Sequence, residues 1–281
     1  MLVQKITPQI IEWVRAQARA GHARDAVLQA MRGRGWDDHI ALAAISEAHN
    51  QKAEEIPAPI PVPEPDTAHG TSYLRLPDRT VQVLTELQLP RLCVFGGFLG
   101  ADECDGLVEL ARDRLVRSEV VDAWSGGGAV NVARTSEGMF FERGENEIVA
   151  RIEARVAELL KWPVDRGEGL QVLRYRPGGE YQPHHDYLSP ALGGDDRELR
   201  HCGQRVATLL MYLSDVESGG ATTFPDAGLR VLPIKGNAAF FSYDRPHPMT
   251  RTLHAGTPVL AGEKWIATKW LRERAFSSAA L

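Results

Sequence analysis

The sequence predicts an α+β chain: a small helical bundle, an extended linker, and a larger domain whose helices precede short strands forming a sandwich or barrel. Three observations carry this. Apolar residues recur at helical spacing through residues 1–50. Five prolines then fall within QKAEEIPAPIPVPEPDTAH, residues 51–69. From residue 169 onward, glycine, proline and aspartate punctuate short runs rich in β-branched and aromatic residues.

Each element has its own signal. Thr7 before Pro8 reads as an N-cap with proline in the first turn, followed by Ile10, Ile11, Val14 and Ala18, and Gly21 ends that helix. Ala26, Val27, Ala30 and Met31 mark a second helix, stopped by Gly33 and Gly35. Trp36 and Asp37 open a third, with Ile40, Ala43, Ala44 and Ile45 on its inner side. The proline-rich stretch lacks any period and reads as a semi-rigid spacer, separating this bundle (1–50) from a domain spanning 70–281. In that domain Asp102 is the expected N-cap of a helix carrying Leu107, Leu110 and Ala111. Ile148, Ile152, Val156 and Leu160 form one stripe of another. The segments LQVLRY, RVATLLMYLSD, LRVLPIKG, NAAFFSY and EKWIATKW read as strands, placing the barrel core at about 169–273.

Composition narrows the class. At 281 residues, 43% hydrophobic and 25% charged, the chain has the make-up of a soluble globular protein. A net charge of −5 supplies no basic footprint for nucleic acid, and no apolar run is long enough to span a membrane. The three cysteines, Cys93, Cys104 and Cys202, form no CxxC pair, which fits a reducing, cytoplasmic setting better than a disulfide framework.

The chemistry concentrates in GGEYQPHHDYLSP, Gly178–Pro190. In an extended backbone residues i and i+2 share a face, so His184 and Asp186 can converge on one ion while His185 faces away. A second histidine would complete a 2-His-1-carboxylate set, the arrangement that leaves positions open on Fe(II). His201, His247 and His254 are the candidates; spacing favours His254, in an extended segment, without deciding it.

Several further blocks carry a resemblance. RTSEGMFF (Arg134–Phe141), GLQVLRYRPGGEYQPHHDY, GQRVATLLMYLSDVESGGATTFP, LPIKGNAAFF and LHAGTPVLAGEKWIATKW occur in this order between about residues 90 and 271. Together they resemble the prolyl 4-hydroxylase branch, bacterial type, of the Fe(II)/2-oxoglutarate-dependent dioxygenases. The resemblance implies a double-stranded β-helix, or jelly-roll, with supporting helices. It places the iron ligands on His184, Asp186 and His254. It also puts the cosubstrate's far carboxylate on Lys264, with Tyr175 and Thr222 beside it. Tyr181, Arg205 and Trp270 match positions that face the target peptide. Trp124–Gly138 aligns with a loop that closes over substrate. Arg272 stands where some peptide-acting relatives have histidine, a departure that bears on substrate choice.

The activity this implies is hydroxylation of prolyl residues in a peptide or protein, coupled to conversion of 2-oxoglutarate to succinate, with O2 as cosubstrate and ascorbate as an allowed reductant. Two other readings are a hydroxylase of a free amino acid or small metabolite, and a non-catalytic binding protein. The N-terminal bundle is a candidate partner contact in any of them.

Overall fold

The computed structural model describes residues 4–20, 22–48, 56–68, 70–117, 120–121, 128–129, 135–188 and 196–277. By internal contacts the chain divides into two units, residues 1–58 and 59–281.

The first unit contains α1 (Pro8–Arg19), α2 (Arg24–Arg32) and α3 (Asp38–Ala48). The Thr7 hydroxyl accepts from the Ile10 amide, as the sequence predicts, at 3.4 Å. Val14, Val27, Leu28, Met31, Leu42 and Ile45 fill the interior. Two expectations change. Ala26 and Ala30 of α2 are exposed, and Ile40 and Ala43 of α3 are only half-buried. The larger Leu28 and Leu42 take the interior positions, because burial gain scales with apolar area.

The second unit opens within the proline-rich stretch. Ile60 donates its amide to Asp244 O at 2.8 Å, and Ile60 and Val62 pack on the main core, so this part of the spacer is docked. Strands β1 (Tyr73–Arg75), β2 (Thr80–Leu87) and β3 (Arg91–Gly96) come next, ahead of helix α4 (Ala101–Arg112). Short strands β4 (Val116–Arg117), β5 (Val120–Val121) and β6 (Gly128–Ala129) and then β7 (Glu137–Phe141) lead to α5 (Glu147–Leu160). The expected order of helices first and strands afterwards is therefore wrong for residues 70–141. The signal was present, since TVQVLTEL alternates at the strand period.

The remainder is β8 (Leu170–Tyr175), β9 (Tyr181–His184), α6 (Asp196–Cys202), β10 (Arg205–Tyr212), β11 (Ser218–Gly219), β12 (Thr222–Phe224), β13 (Leu229–Val231), β14 (Ala238–Ser242), β15 (His254–Gly256), β16 (Val259–Ala261) and β17 (Lys264–Arg272). A nine-stranded sheet runs β1-β2-β3-β14-β10-β17-β8-β7-β4, and a four-stranded sheet runs β13-β12-β15-β9. One face of the large sheet carries Phe95, Val172, Leu209 and Trp265 against α4 and α5. Its other face carries Leu173, Tyr175, Leu210, Tyr212 and Ile266, which join Phe224 and Val231 of the small sheet in a second core. The functional residues lie in this second layer.

Two details of the helices also differ from expectation. Gly100, not Asp102, caps α4, and the Glu103 carboxylate accepts from the Gly100 amide at 2.9 Å. A side chain at position 100 would meet Asp102 Oδ1 at 2.4 Å, so the Asp102 side chain would have to move aside. Leu110 is exposed, and the inward stripe is Glu103, Cys104, Leu107 and Ala111. Buried Arg155 of α5 ties the helices together through Glu103 at 2.7 Å and Asp78 at 2.6 Å.

Candidate active site

The two histidines are cross-strand neighbours. β9 and β15 pair antiparallel with His184 opposite His254, and their rings lie 4.2 Å apart between centroids. Asp186 follows β9 by two residues. His184 Nε2 is 3.6 Å from Asp186 Oδ1, and His254 Nε2 is 3.5 Å from Asp186 Oδ2. The three residues present ligand-type atoms all within 4.8 Å of one another. His185 points elsewhere and stacks on Tyr187, centroids 4.6 Å apart.

The histidine tautomers follow from their partners. His184 Nδ1 lies 2.8 Å from Gln182 O and His254 Nδ1 lies 3.0 Å from Thr252 O. A carbonyl only accepts, so each Nδ1 carries a proton and each Nε2 is turned toward Asp186. Asp186 is fixed in turn by Thr208, whose hydroxyl donates to Oδ2 at 2.7 Å and also contacts Tyr243 OH at 3.0 Å. Burial by itself would raise the Asp186 carboxyl, but His254 and His184, with Arg205 and the Thr208 bond, hold it down at about 2. The ring of His254 is packed by Phe241, 4.7 Å away.

On one side of this cluster lies Lys264. It is the register partner of Tyr175 across β17 and β8, and its Nζ sits 5.7 Å from the Tyr175 ring and 5.9 Å from the Tyr212 ring. No carboxylate faces it among the described residues, and burial alone pushes its ammonium down to about 7. Thr222, on β12, accepts from Tyr212 OH at 2.9 Å and is buried, while Thr223 is half-buried and turned the other way. Thr222 is thus the inward member of the TT pair.

On the other side Arg205 makes a two-pronged contact with Glu168, at 2.7 and 2.9 Å, and its guanidinium lies 4.2 Å over the Trp270 ring. Glu168 also takes Arg272 Nε at 2.6 Å. Arg272 is fully buried, donates to Gly203 O at 2.9 Å and pairs with Glu198. Arg272 is therefore part of the scaffold behind Arg205. Tyr181 stacks directly on His184, with centroids 3.6 Å apart. Of the segment expected to close over substrate, only Gly128–Ala129 and 135–138 fall among the described residues; Arg134 falls outside them.

Comparison with known proteins agrees with this geometry. A profile described as the 2OG-Fe(II) oxygenase superfamily matches residues 170–272. Prolyl 4-hydroxylase 5 of Arabidopsis thaliana is 41% identical over 208 residues, covering 66% of this chain and 70% of that protein. Prolyl 4-hydroxylase 1 of the same plant is 43% identical over 206 residues, covering 67% and 71%. The chain belongs to the prolyl 4-hydroxylase family. Among solved structures, the 2-oxoglutarate complex of a viral collagen prolyl hydroxylase from Paramecium bursaria Chlorella virus-1 is 34% identical. It superimposes with a TM-score of 0.50 over 64% of this chain and 95% of that one.

As a prolyl 4-hydroxylase family member the protein is a dioxygenase that uses Fe(II), 2-oxoglutarate and O2. Its residues fit both groups. Two imidazoles whose Nε2 atoms face one carboxylate are a suitable donor set for Fe(II). A buried ammonium with no acid of its own fits the far carboxylate of a dicarboxylic acid. The sequence reading missed Thr208, Tyr212, Tyr243 and Glu168. Period-2 reading of RVATLLMY could have found the first two, since Thr208 and Tyr212 share the inward face with Leu210. Glu168 has no local signal, because its partners lie far along the chain.

Proposed function

We propose that this dioxygenase hydroxylates prolyl residues within a peptide or protein, with His184, Asp186 and His254 holding the iron. The observation that carries the reading is the His–Asp–His cluster beside an unmatched buried lysine. The chain that bears it is about two-fifths identical to proteins named prolyl 4-hydroxylases.

When bound, iron and 2-oxoglutarate supply the oxidising chemistry: one oxygen atom enters a C–H bond while 2-oxoglutarate becomes succinate and CO2. The chain's own groups bind and orient. Lys264 pairs with the far carboxylate of 2-oxoglutarate, and Tyr175 and Thr222 flank it. Thr208 keeps Asp186 from rotating. The Tyr181 ring forms a wall over His184, and Arg205 with Trp270 forms the opposing surface for the peptide. Phe224 and Phe241 pack against His254 and keep water from that side.

Free-amino-acid hydroxylation drew support from Arg272, but that residue is buried in ion pairs with Glu168 and Glu198. The N-terminal bundle is assigned to partner contact within the same proposal, as is the cytoplasmic setting. The test is succinate formation by the iron-loaded enzyme with and without proline-containing peptides, and mass spectrometry for one added oxygen. His184→Ala should abolish both signals and His185→Ala should keep them. Stimulation by a free amino acid and by no prolyl peptide would overturn the reading.

A further inference from the structure

A concavity lies outside the iron site. It encloses about 390 Å3, and its walls include Arg117, Glu137, Arg174 and Arg176, with Gly178 and Gly179 at the turn before β9. Register explains the clustering. Arg117 is opposite Glu137 across β4 and β7, and Glu137 is opposite Arg174 across β7 and β8. Arg176 follows two residues on. The guanidinium of Arg174 lies 5.3 Å over the Trp265 ring, which belongs to the helix-side core. The groove is therefore on the face of the large sheet opposite Tyr175 and Lys264.

Its charge is unbalanced. One oxygen of Glu137 takes Arg174 at 2.7 and 2.9 Å and Arg176 at 3.3 Å. Among the described lining residues Glu137 supplies the one carboxylate, beside three guanidiniums. Arg117 and Arg176 are exposed, and Arg117 donates to Thr135 O at 3.2 Å. Each guanidinium has five N–H donors, more than the bonds these two make among the described residues. Gly178 has φ +82 with nothing near the position of a Cβ, so another backbone can approach closely there. This positive groove sits on a chain whose net charge is −5.

We infer that this groove docks an acidic segment of the protein substrate, away from the prolyl residue being oxidised. The inference rests on the protein-substrate reading above. Nucleic acid fits less well: the chain is acidic overall, and none of the described lining residues is aromatic, so bases have nothing to stack on. A short prolyl peptide fills only the iron cleft, whereas a protein can reach round the β4 edge and touch both faces. The groove thus selects among prolyl-containing proteins by charge at a distance from the reaction.

The probe is fluorescein-labelled octaglutamate, followed by anisotropy with the full-length protein at low salt. Arg117→Glu/Arg176→Glu should weaken binding at least tenfold. Arg75→Glu/Arg230→Glu, with the same net charge change on β1 and β13, should leave it within twofold. In turnover, a prolyl peptide joined by a flexible twelve-residue linker to a Glu-rich tail should show a lower KM than its Ser-tailed counterpart. Arg117→Glu/Arg176→Glu should erase that difference with kcat unchanged. Equal weakening by both double variants, or displacement of the probe by inorganic phosphate at matched carboxylate concentration, overturns the inference. Loss of probe binding in the groove variant, with no prolyl peptide turned over, would sink the hydroxylation reading alone.

Discussion

Two cations lie close to the His–Asp–His cluster, Lys264 buried and Arg205 half-buried, and they differ in their partners. Arg205 is matched: Glu168 takes both of its prongs, Trp270 lies beneath it, and Arg272 shares the same carboxylate. Lys264 has two tyrosine rings nearby and no acid among the described residues. A buried charge already satisfied by the protein stabilises the fold only as long as its partner remains. A buried charge left unmatched is a cost to the fold that a ligand can relieve. The contrast separates a cation held by the protein from one left for a ligand.

The strongest way to break the comparison is on the matched side. Glu168→Gln should destabilise the protein by about 3–5 kcal/mol, because buried Arg272 and half-buried Arg205 would lose their shared anion. Chemical denaturation of the metal-free protein measures this. A loss below about 1 kcal/mol, the range of exposed pairs, would mean that water reaches the Arg205–Arg272 layer.

The unmatched side should respond in the opposite sense. Lys264→Met keeps the apolar stem and removes the ammonium, so 2-oxoglutarate affinity should fall by about 2–5 kcal/mol while the fold is unharmed or gains. The gain has a pH signature. The folded-state value is lowered to about 7 from 10.5, so the folded protein binds fewer protons between those limits, and wild-type stability rises with pH there. The burial cost is complete below pH 7 and fades toward 10.5. Lys264→Met should therefore stabilise most at pH 6 and least near pH 10. A uniform effect across that range would show that Lys264 is solvated or paired in solution.

Cosubstrate binding should carry the same signature in a smaller measurement. Below pH 7 the ammonium exists before 2-oxoglutarate arrives; above it, binding must take up a proton. The KM for 2-oxoglutarate should be flat below about pH 7 and rise by up to about tenfold per unit above it. Calorimetry in buffers of different ionisation enthalpy detects the uptake directly, and zero uptake at pH 8 contradicts a lowered Lys264.

How much of this was legible in the sequence depends on distance along the chain. The choice of His184 over His185 followed from strand alternation alone, and the structure pairs His184 with His254 across one ladder. Lys264, Tyr175 and Thr222 came from motif resemblance, and register brings the first two face to face. Missed features have two physical origins. The β1–β3 strands carry a period-2 signal that the stronger helix and proline signals around them obscured. Glu168, by contrast, gains its meaning only when β8, β10 and β17 assemble, and no local pattern encodes that. The setting of Arg272 was hidden for the same reason: its neighbours in sequence gave no sign of its two carboxylate partners.

The finest test lies at the boundary between the two behaviours. Tyr212 lies near Lys264 but is itself satisfied, donating to Thr222 Oγ1 at 2.9 Å. Burial pushes its phenol well above the ordinary range, so at any working pH it stays a neutral donor. Tyr212→Phe keeps the ring 5.9 Å from the Lys264 ammonium and deletes only the hydroxyl. A scaffold role predicts a loss of about 1 kcal/mol in stability, the worth of one buried neutral hydrogen bond, with the KM for 2-oxoglutarate changed less than about threefold. A role in binding predicts the reverse: the hydroxyl, or the Thr222 it orients, would be reaching the cosubstrate, and KM would rise about tenfold while stability held. Measuring both quantities on one variant decides on which side of the scaffold–site boundary Tyr212 falls, because each role moves one quantity and spares the other.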